Sequence, residues 1–177
     1  MGSAGRNVGP MRIGISVGGS TIDEVVTNAK AAEDAGFSSA WLANIFGIDA
    51  MTAIAVAGRE TKRIELGTGV VPTYSRHPFY MAQQAMSTQA ATNGRFVLGI
   101  GLSHQIVIEG ILGLSFDKPA KHMREYLSVL LPLLREGSAS FNGELYRVNA
   151  PLERAGDPSG GAGHAAGPAP GHAGPEP

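Results

Sequence analysis

The sequence predicts an α/β fold in which parallel strands alternate with crossover helices. Three observations predict it. Strand-like segments begin near Met11, Ser39, Ile64 and Phe96, a spacing of about one βαβ unit each time. Each is followed by a stretch with helical periodicity or a helix-opening residue pattern. The third segment, IELGTGVV, breaks at Gly67 and Gly69. A glycine pair at the end of a strand lets backbone, or a flat ring, approach closely. Open α/β sheets and (β/α)8 barrels place their ligands at that end of their strands.

The elements follow in order. Met11-Val17 (MRIGISV) is strand-like. Thr21 is the N-cap of a helix over Ile22-Ala35, and Glu24 completes a capping box. Val25, Ala29, Ala32 and Ala35 share one face of that helix, and Gly36 stops it. Ser39-Asn44 is the second strand, and its alternation assigns Trp41 to the core. Asp49 caps a helix running through Met51, Ile54, Val56 and Ala57. Ile64-Val71 is the third strand. His77-Pro78 opens the third helix, with Pro78 in its first turn, and Gly94 closes it. Phe96-Leu102 (FVLGIGL) is the fourth strand. After an irregular stretch, Asp117-Lys118-Pro119 opens a long amphipathic helix to Glu136. Ser138-Val148 alternates around Asn142-Gly143, a hairpin signal. Met81, Met86 and Met123 read as core filling. His122 reads as packing or surface.

Composition bounds the function. The chain has 177 residues, 43% hydrophobic and 16% charged, with formal net charge −1. No block of like charge points to nucleic acid or to an anionic membrane surface. No apolar run approaches the roughly 20 residues of a membrane span. There are no cysteines, which excludes disulfides, thiolate catalysis and Cys-ligated metal sites and agrees with a reducing cytoplasm. Residues 1–10 read as a flexible leader and residues 11–150 as the folded domain. From Pro151 the chain is almost wholly Gly, Ala, Pro and His with scattered charge, a composition that cannot build a core and predicts disorder over 151–177.

Familiar nucleotide motifs are absent. The turn after the first strand, VGGSTID, is not G-x-G-x-x-G, and no acidic residue ends the second strand. There is no P-loop or HExxH. The residues that could carry chemistry cluster where the strands end. Gly67 and Gly69 serve either close strand packing or a ligand. His104, after LGIGLS, is either a hydrogen-bonded loop residue or a proton carrier. Ser103 and Gln105 can hydrogen-bond a ring edge or a substrate. Asn44 can hydrogen-bond but cannot act as a general base. Phe46 can wall a pocket. Tyr74, Arg76 and His77 either belong to a helix start or line the mouth.

GTGVVPTYSRHP (Gly67-Pro78), QAATNGRFVLGIGLSH (Gln89-His104), KPAKHMREYLSVLLPLL (Lys118-Leu134) and FNGELYRVNAP (Phe141-Pro151) together resemble the luciferase-like monooxygenase family, most closely its branch using the deazaflavin coenzyme F420. The resemblance implies a (β/α)8 TIM-barrel fold, truncated here to about the first four βα units plus a hairpin. It implies an oxidoreductase with coenzyme F420 (alternatively FMN), a small-molecule substrate, and a non-prolyl cis peptide at Gly69-Val70 forming a shelf under the ring. Asn44, Gly69, Val70 and Ser103 are then the cofactor-binding candidates and His104 the catalytic one, with no metal. Asn44 stands where some relatives carry a histidine or aspartate base, which speaks against sugar-alcohol dehydrogenation. The abrupt Gly/Ala/Pro tail is what a GC-rich gene yields out of frame, so a frameshifted or truncated member is expected. The alternative is an inactive half-barrel that self-associates, as a dimer, to cover its open edges.

Overall fold

The computed structural model describes residues 11–153; the leader 1–10 and the tail from 154 lie outside the described residues. The architecture is the parallel α/β arrangement read from the sequence. Strands β1 (Gly14–Val17), β2 (Ser39–Leu42), β3 (Glu65–Thr68) and β5 (Phe96–Val97) form one parallel sheet in the order β1-β2-β3-β5. Strands β4 (Val71–Pro72) and β6 (Ile100–Gly101) form a second parallel pair that continues β3 and β5. Helices α1 (Ile22–Asp34), α2 (Ala50–Glu60) and α3 (Pro78–Ala91) are the crossovers. They are followed by α4 (Gln105–Gly110), α5 (Pro119–Glu136) and the antiparallel hairpin β7 (Ser138–Asn142) and β8 (Arg147–Pro151).

Local chemistry sets the boundaries. The Thr21 hydroxyl accepts from the Glu24 N–H at 3.1 Å, and the Glu24 carboxylate accepts from the Ser20 N–H at 2.6 Å. Asp49 caps α2 by accepting from the Thr52 N–H at 2.9 Å. His77, expected at the start of the third helix, is the N-cap of α3, its Nδ1 accepting from the Phe79 N–H at 3.2 Å. The α5 N-cap is Lys118, in the left-handed region at φ 50°, with Pro119 at the first helical turn. The stretch expected to be irregular contains α4, whose six residues are too few to show a helical period in sequence.

Two strands are shorter than their apolar runs suggest, and the other two are broken. The third is interrupted by a cis peptide at Gly69-Val70 and the fourth at Leu98-Gly99. Across the gap one buried side chain replaces the missing ladder. The Thr68 hydroxyl donates to the Gly99 carbonyl at 2.8 Å and accepts from the Gly99 N–H at 2.9 Å. Beyond it the ladder resumes, with the Val71 N–H donating to the Gly99 carbonyl and the Thr73 N–H to the Gly101 carbonyl, both at 2.9 Å.

Strand alternation sorts the two faces. Ala40, Leu42 and Leu66 point to the helices and pack with Val25, Ala29 and Ile54. Val71, Met81, Tyr126, Leu130 and Leu133 form a second core beneath α3 and α5, against which Met86 packs. Trp41 is not in either core: it is half-buried on the face away from the helices. Its indole lies over Gly67, where a Cβ would come within 2.5 Å of the ring, and its Nε1 donates to the Ser39 hydroxyl at 2.9 Å.

The hairpin turn is longer than an Asn-Gly pair alone would make. Asn142 pairs with Arg147, leaving four residues between, and the Glu125 carboxylate gathers that turn. It accepts from the backbone N–H groups of Glu144 (3.3 Å), Leu145 (2.8 Å) and Tyr146 (3.2 Å). Burial raises the Glu125 pKa, but the three donors outweigh it and hold the carboxyl below its ordinary value. The hairpin reaches Pro151, and Leu152 is buried, its N–H donating to the Gly137 carbonyl at 2.7 Å.

Candidate functional site

The carboxyl ends of the second, third and fourth strand lines converge on a hollow of about 340 Å³. Asn44, Gly69, Val70, Ser103 and His104 all line it, so the structure brings the five residues singled out from sequence to one place. Ala43, Ile45, Phe46, Pro72 and Val107 complete the wall. Val107 comes from α4 and escaped the sequence reading together with that helix.

Each residue is positioned by identifiable bonds. The Asn44 side-chain oxygen accepts from the Ala50 N–H at 2.9 Å, which anchors the 44–50 loop to the start of α2 and leaves the amide NH2 as the free donor. The Gly69 N–H donates to the Leu42 carbonyl at 2.9 Å, fixing the corner to β2. A Cβ on Gly69 would meet only the Trp41 Cβ, at 3.9 Å, so the glycine face is open space. Ser103 sits in the left-handed region at φ 64° and turns the chain into α4. His104 is the N-cap of α4 and is exposed, with no side-chain capping bond, so its imidazole is uncommitted by the helix start. Ile45, Phe46 and Val70 are exposed and give the rim an apolar character.

Tyr74, Arg76 and His77 do not line this hollow. Arg76 forms an ion pair with Asp49, whose carboxyl is raised by burial but held below its ordinary value overall by Thr52, Arg76 and Gln84. Tyr74 stacks face to face on His122, with ring centroids 3.8 Å apart. His122 is buried: its Nε2 lies 3.0 Å from the Thr73 hydroxyl and its Nδ1 3.5 Å from the Tyr146 hydroxyl. This is packing, the reading given to His122 from sequence.

Burial lowers the His122 pKa, and the facing Tyr146 is raised to about 12, chiefly by burial. The folded state therefore holds the imidazole neutral where the unfolded chain takes up a proton near pH 6.5. Stability from this group is complete above that pH. It is lost as pH falls through the window between the unfolded and the lowered folded value, and is flat below it. Melting temperatures measured between pH 5 and 8 are expected to drop toward acid, with a shallower slope in His122→Gln.

A larger groove, about 550 Å³, lies on the helix side of the sheet between Met86, Phe96, Leu98 and Leu134, with no titratable side chain in its lining. It has size without chemistry, so the strand-end hollow is the better candidate. Among the described residues, no group of three or more His, Cys, Asp or Glu is placed to hold a metal ion, and no helix is long and apolar enough to cross a membrane.

Comparison with known proteins identifies the family and the fold. A family model described as luciferase-like monooxygenase matches residues 8–168. A candidate coenzyme F420-dependent oxidoreductase of Mycobacterium tuberculosis is 38% identical over 119 residues, covering 67% of this chain and 34% of that protein. The coenzyme F420-dependent tetrahydromethanopterin reductase of Methanopyrus kandleri has the same fold, with a TM-score of 0.72 at 24% identity over 81% of this chain and 46% of that one. So has the FMN-bound oxygenating constituent of 3,6-diketocamphane monooxygenase from Pseudomonas putida, with a TM-score of 0.70 at 18% identity over 81% of this chain and 46% of that one. The chain thus spans about a third to a half of the length of these relatives, and its four-stranded sheet corresponds to part of their TIM barrel. On the family match over most of its length, the chain belongs to the luciferase-like monooxygenases.

Proposed function

We propose that this chain supplies the ring-binding corner of an F420-dependent oxidoreductase acting on a small-molecule substrate in the cytoplasm. The observation that carries the reading is the hollow itself, where Gly69 presents bare backbone to open space between Asn44, Ser103 and His104. A flat ring fits where a Cβ would otherwise project. F420 is preferred to FMN because a relative of 38% identity is named for F420.

F420, when bound, supplies hydride transfer at its ring. The chain's own residues do the rest. The Gly69-Val70 backbone would support the ring, and the exposed Val70 and Phe46 side chains would exclude water from it. The Asn44 amide NH2 and the Ser103 hydroxyl would hydrogen-bond polar atoms at the ring edge. His104 Nδ1 or Nε2 would hold or move the substrate's proton at the mouth of the hollow.

The test is titration of the chain with F420 and, separately, with FMN, followed by absorbance and fluorescence. The wall described here is part of what the longer relatives possess, so weak binding is expected, with a Kd of about 100 μM or above, equivalent to about 5.5 kcal/mol or less. Gly69→Val should abolish it by filling the shelf, while the melting temperature stays near that of the parent because the added atoms enter open space. Normal F420 binding by that variant would remove the shelf assignment. Binding of FMN in preference to F420 would transfer the reading to the FMN-dependent monooxygenases.

A further inference from the structure

Arg76 does not line the strand-end hollow, but it reaches the loop that does. The stretch 44–50 after β2 supplies Asn44, Ile45 and Phe46 to the wall. Ile45 and Phe46 are 71% and 70% exposed, so packing does little to fix where their side chains stand. Their position is set at the base of the loop, where Ile48 packs against the first core. There the Asn44 Oδ1 accepts from the Ala50 N–H, and the Asp49 carboxylate is held from two sides. Its Oδ1 accepts from the Thr52 N–H (2.9 Å), the Thr52 hydroxyl (2.8 Å) and the Gln84 amide (3.2 Å), which tie it to α2 and α3. Its Oδ2 faces the Arg76 guanidinium, with which it pairs.

Arg76 stands on a different strand line. It follows Pro72 of β4, which lines the hollow, and precedes α3. Its backbone N–H donates to the Thr73 carbonyl at 3.2 Å, and the Thr73 N–H donates to the Gly101 carbonyl, so the turn carrying Arg76 is bonded into the β4–β6 pair. The ion pair therefore joins the loop after the second strand line to the turn after the third. The two side chains are 21% and 30% exposed, which shields the pair from the salt screening felt on open surface.

We propose that Arg76 is a positioning residue: by holding Asp49 it sets the 44–50 loop, and with it the Asn44 amide and the Phe46 ring, against the Gly69-Val70 corner. The bearing of this clamp on ring binding rests on the function proposed above; the clamp itself does not. The two carboxylate oxygens divide the work, which makes the clamp separable from helix capping. Asparagine at position 49 has one acceptor oxygen. Spent on Thr52, it still caps α2 but releases Arg76.

The experiment follows two signals in the 177-residue chain and in its Arg76→Met, Asp49→Asn and Arg76→Lys variants. One is hydrogen exchange of the Ala50 amide, read by NMR against the Leu130 amide inside α5. The other is F420 affinity, measured alongside the melting temperature. In Arg76→Met and Asp49→Asn the Ala50 amide is expected to exchange about tenfold faster, the scale of one lost charge-assisted bond in a local opening, with Leu130 unchanged. F420 affinity is expected to fall about fivefold, the cost of ordering a side chain or two on binding. The melting temperature is expected to stay within about 3 °C, since the fold itself is not touched. Arg76→Lys keeps the charge and is expected to restore both signals. Unchanged Ala50 exchange in Arg76→Met overturns the proposal. So does exchange that rises equally at Ala50 and Leu130, which would make Arg76 a support of the whole fold. A Lys variant that exchanges as fast as the Met one also overturns it, because charge would then not hold the loop. Faster Ala50 exchange with unchanged F420 affinity overturns the positioning role. A parent that binds no F420 removes the function proposed above instead, and the exchange comparison still decides the clamp.

Discussion

Replacing Gly99 by alanine is expected to cost about 3 kcal/mol of stability, the upper part of the range for forcing atoms into a packed site. A Cβ at this position would stand 2.0 Å from the Thr68 carbonyl oxygen. That atom belongs to the backbone of β3 and cannot rotate away as a side chain would. The same displacement would separate the Thr68 hydroxyl from Gly99, with which it exchanges two hydrogen bonds. Chemical denaturation of parent and variant measures the loss. Because the corner at Gly69 is continuous with Thr68, the variant should also bind F420 less well at temperatures where it remains folded. An alanine variant as stable as the parent would mean that the two strand lines can part without consequence.

The second large effect is expected at the opposite end of the strands. The Arg95 guanidinium donates to the carbonyls of Gly58 (2.7 Å), Thr61 (3.0 Å) and Ile64 (2.9 Å) and to the Thr61 hydroxyl (3.0 Å). It thereby ties the end of α2 to the entrances of β3 and β5. Arg95→Met keeps the aliphatic stem and removes every donor. Three carbonyl groups then lose their charged partner, and the expected cost is about 2–4 kcal/mol. Lys at this position should recover only part of it, since a single ammonium cannot span the same fork of acceptors. Equilibrium unfolding of Met and Lys variants in parallel checks both statements.

The legibility of this chain in its sequence follows the strength of local signals. Thr21, Asp49, Pro78 and Gly36 announce helix ends through short-range chemistry, and the structure uses them so. The apolar runs extend beyond the paired β-segments because such a run records burial, not pairing. Nothing in FVLGIGL distinguishes the paired Phe96–Val97 from the gap at Leu98-Gly99, because that gap is set by Thr68 on another strand. α4 was hidden by its brevity. Alternation places Trp41 on one of two faces without saying which one the helices cover, so the sequence alone cannot tell core from inner surface there. At the site, Gly69, Ser103 and His104 were legible as strand-end residues. The anchoring of Asn44 to Ala50 and the wall formed by Val107 depend on loops whose paths only tertiary structure fixes.

The indole resting across Gly67 has a practical corollary. The chain contains one tryptophan, so its tryptophan emission, excited selectively at the red edge where tyrosine does not absorb, originates from a single point on the surface turned away from the helices. Light from that point is free of the overlapping contributions that complicate most proteins. It registers changes in polarity on the sheet's inner side, whether these come from a small molecule settling above the strands or from a neighbouring chain shutting out solvent.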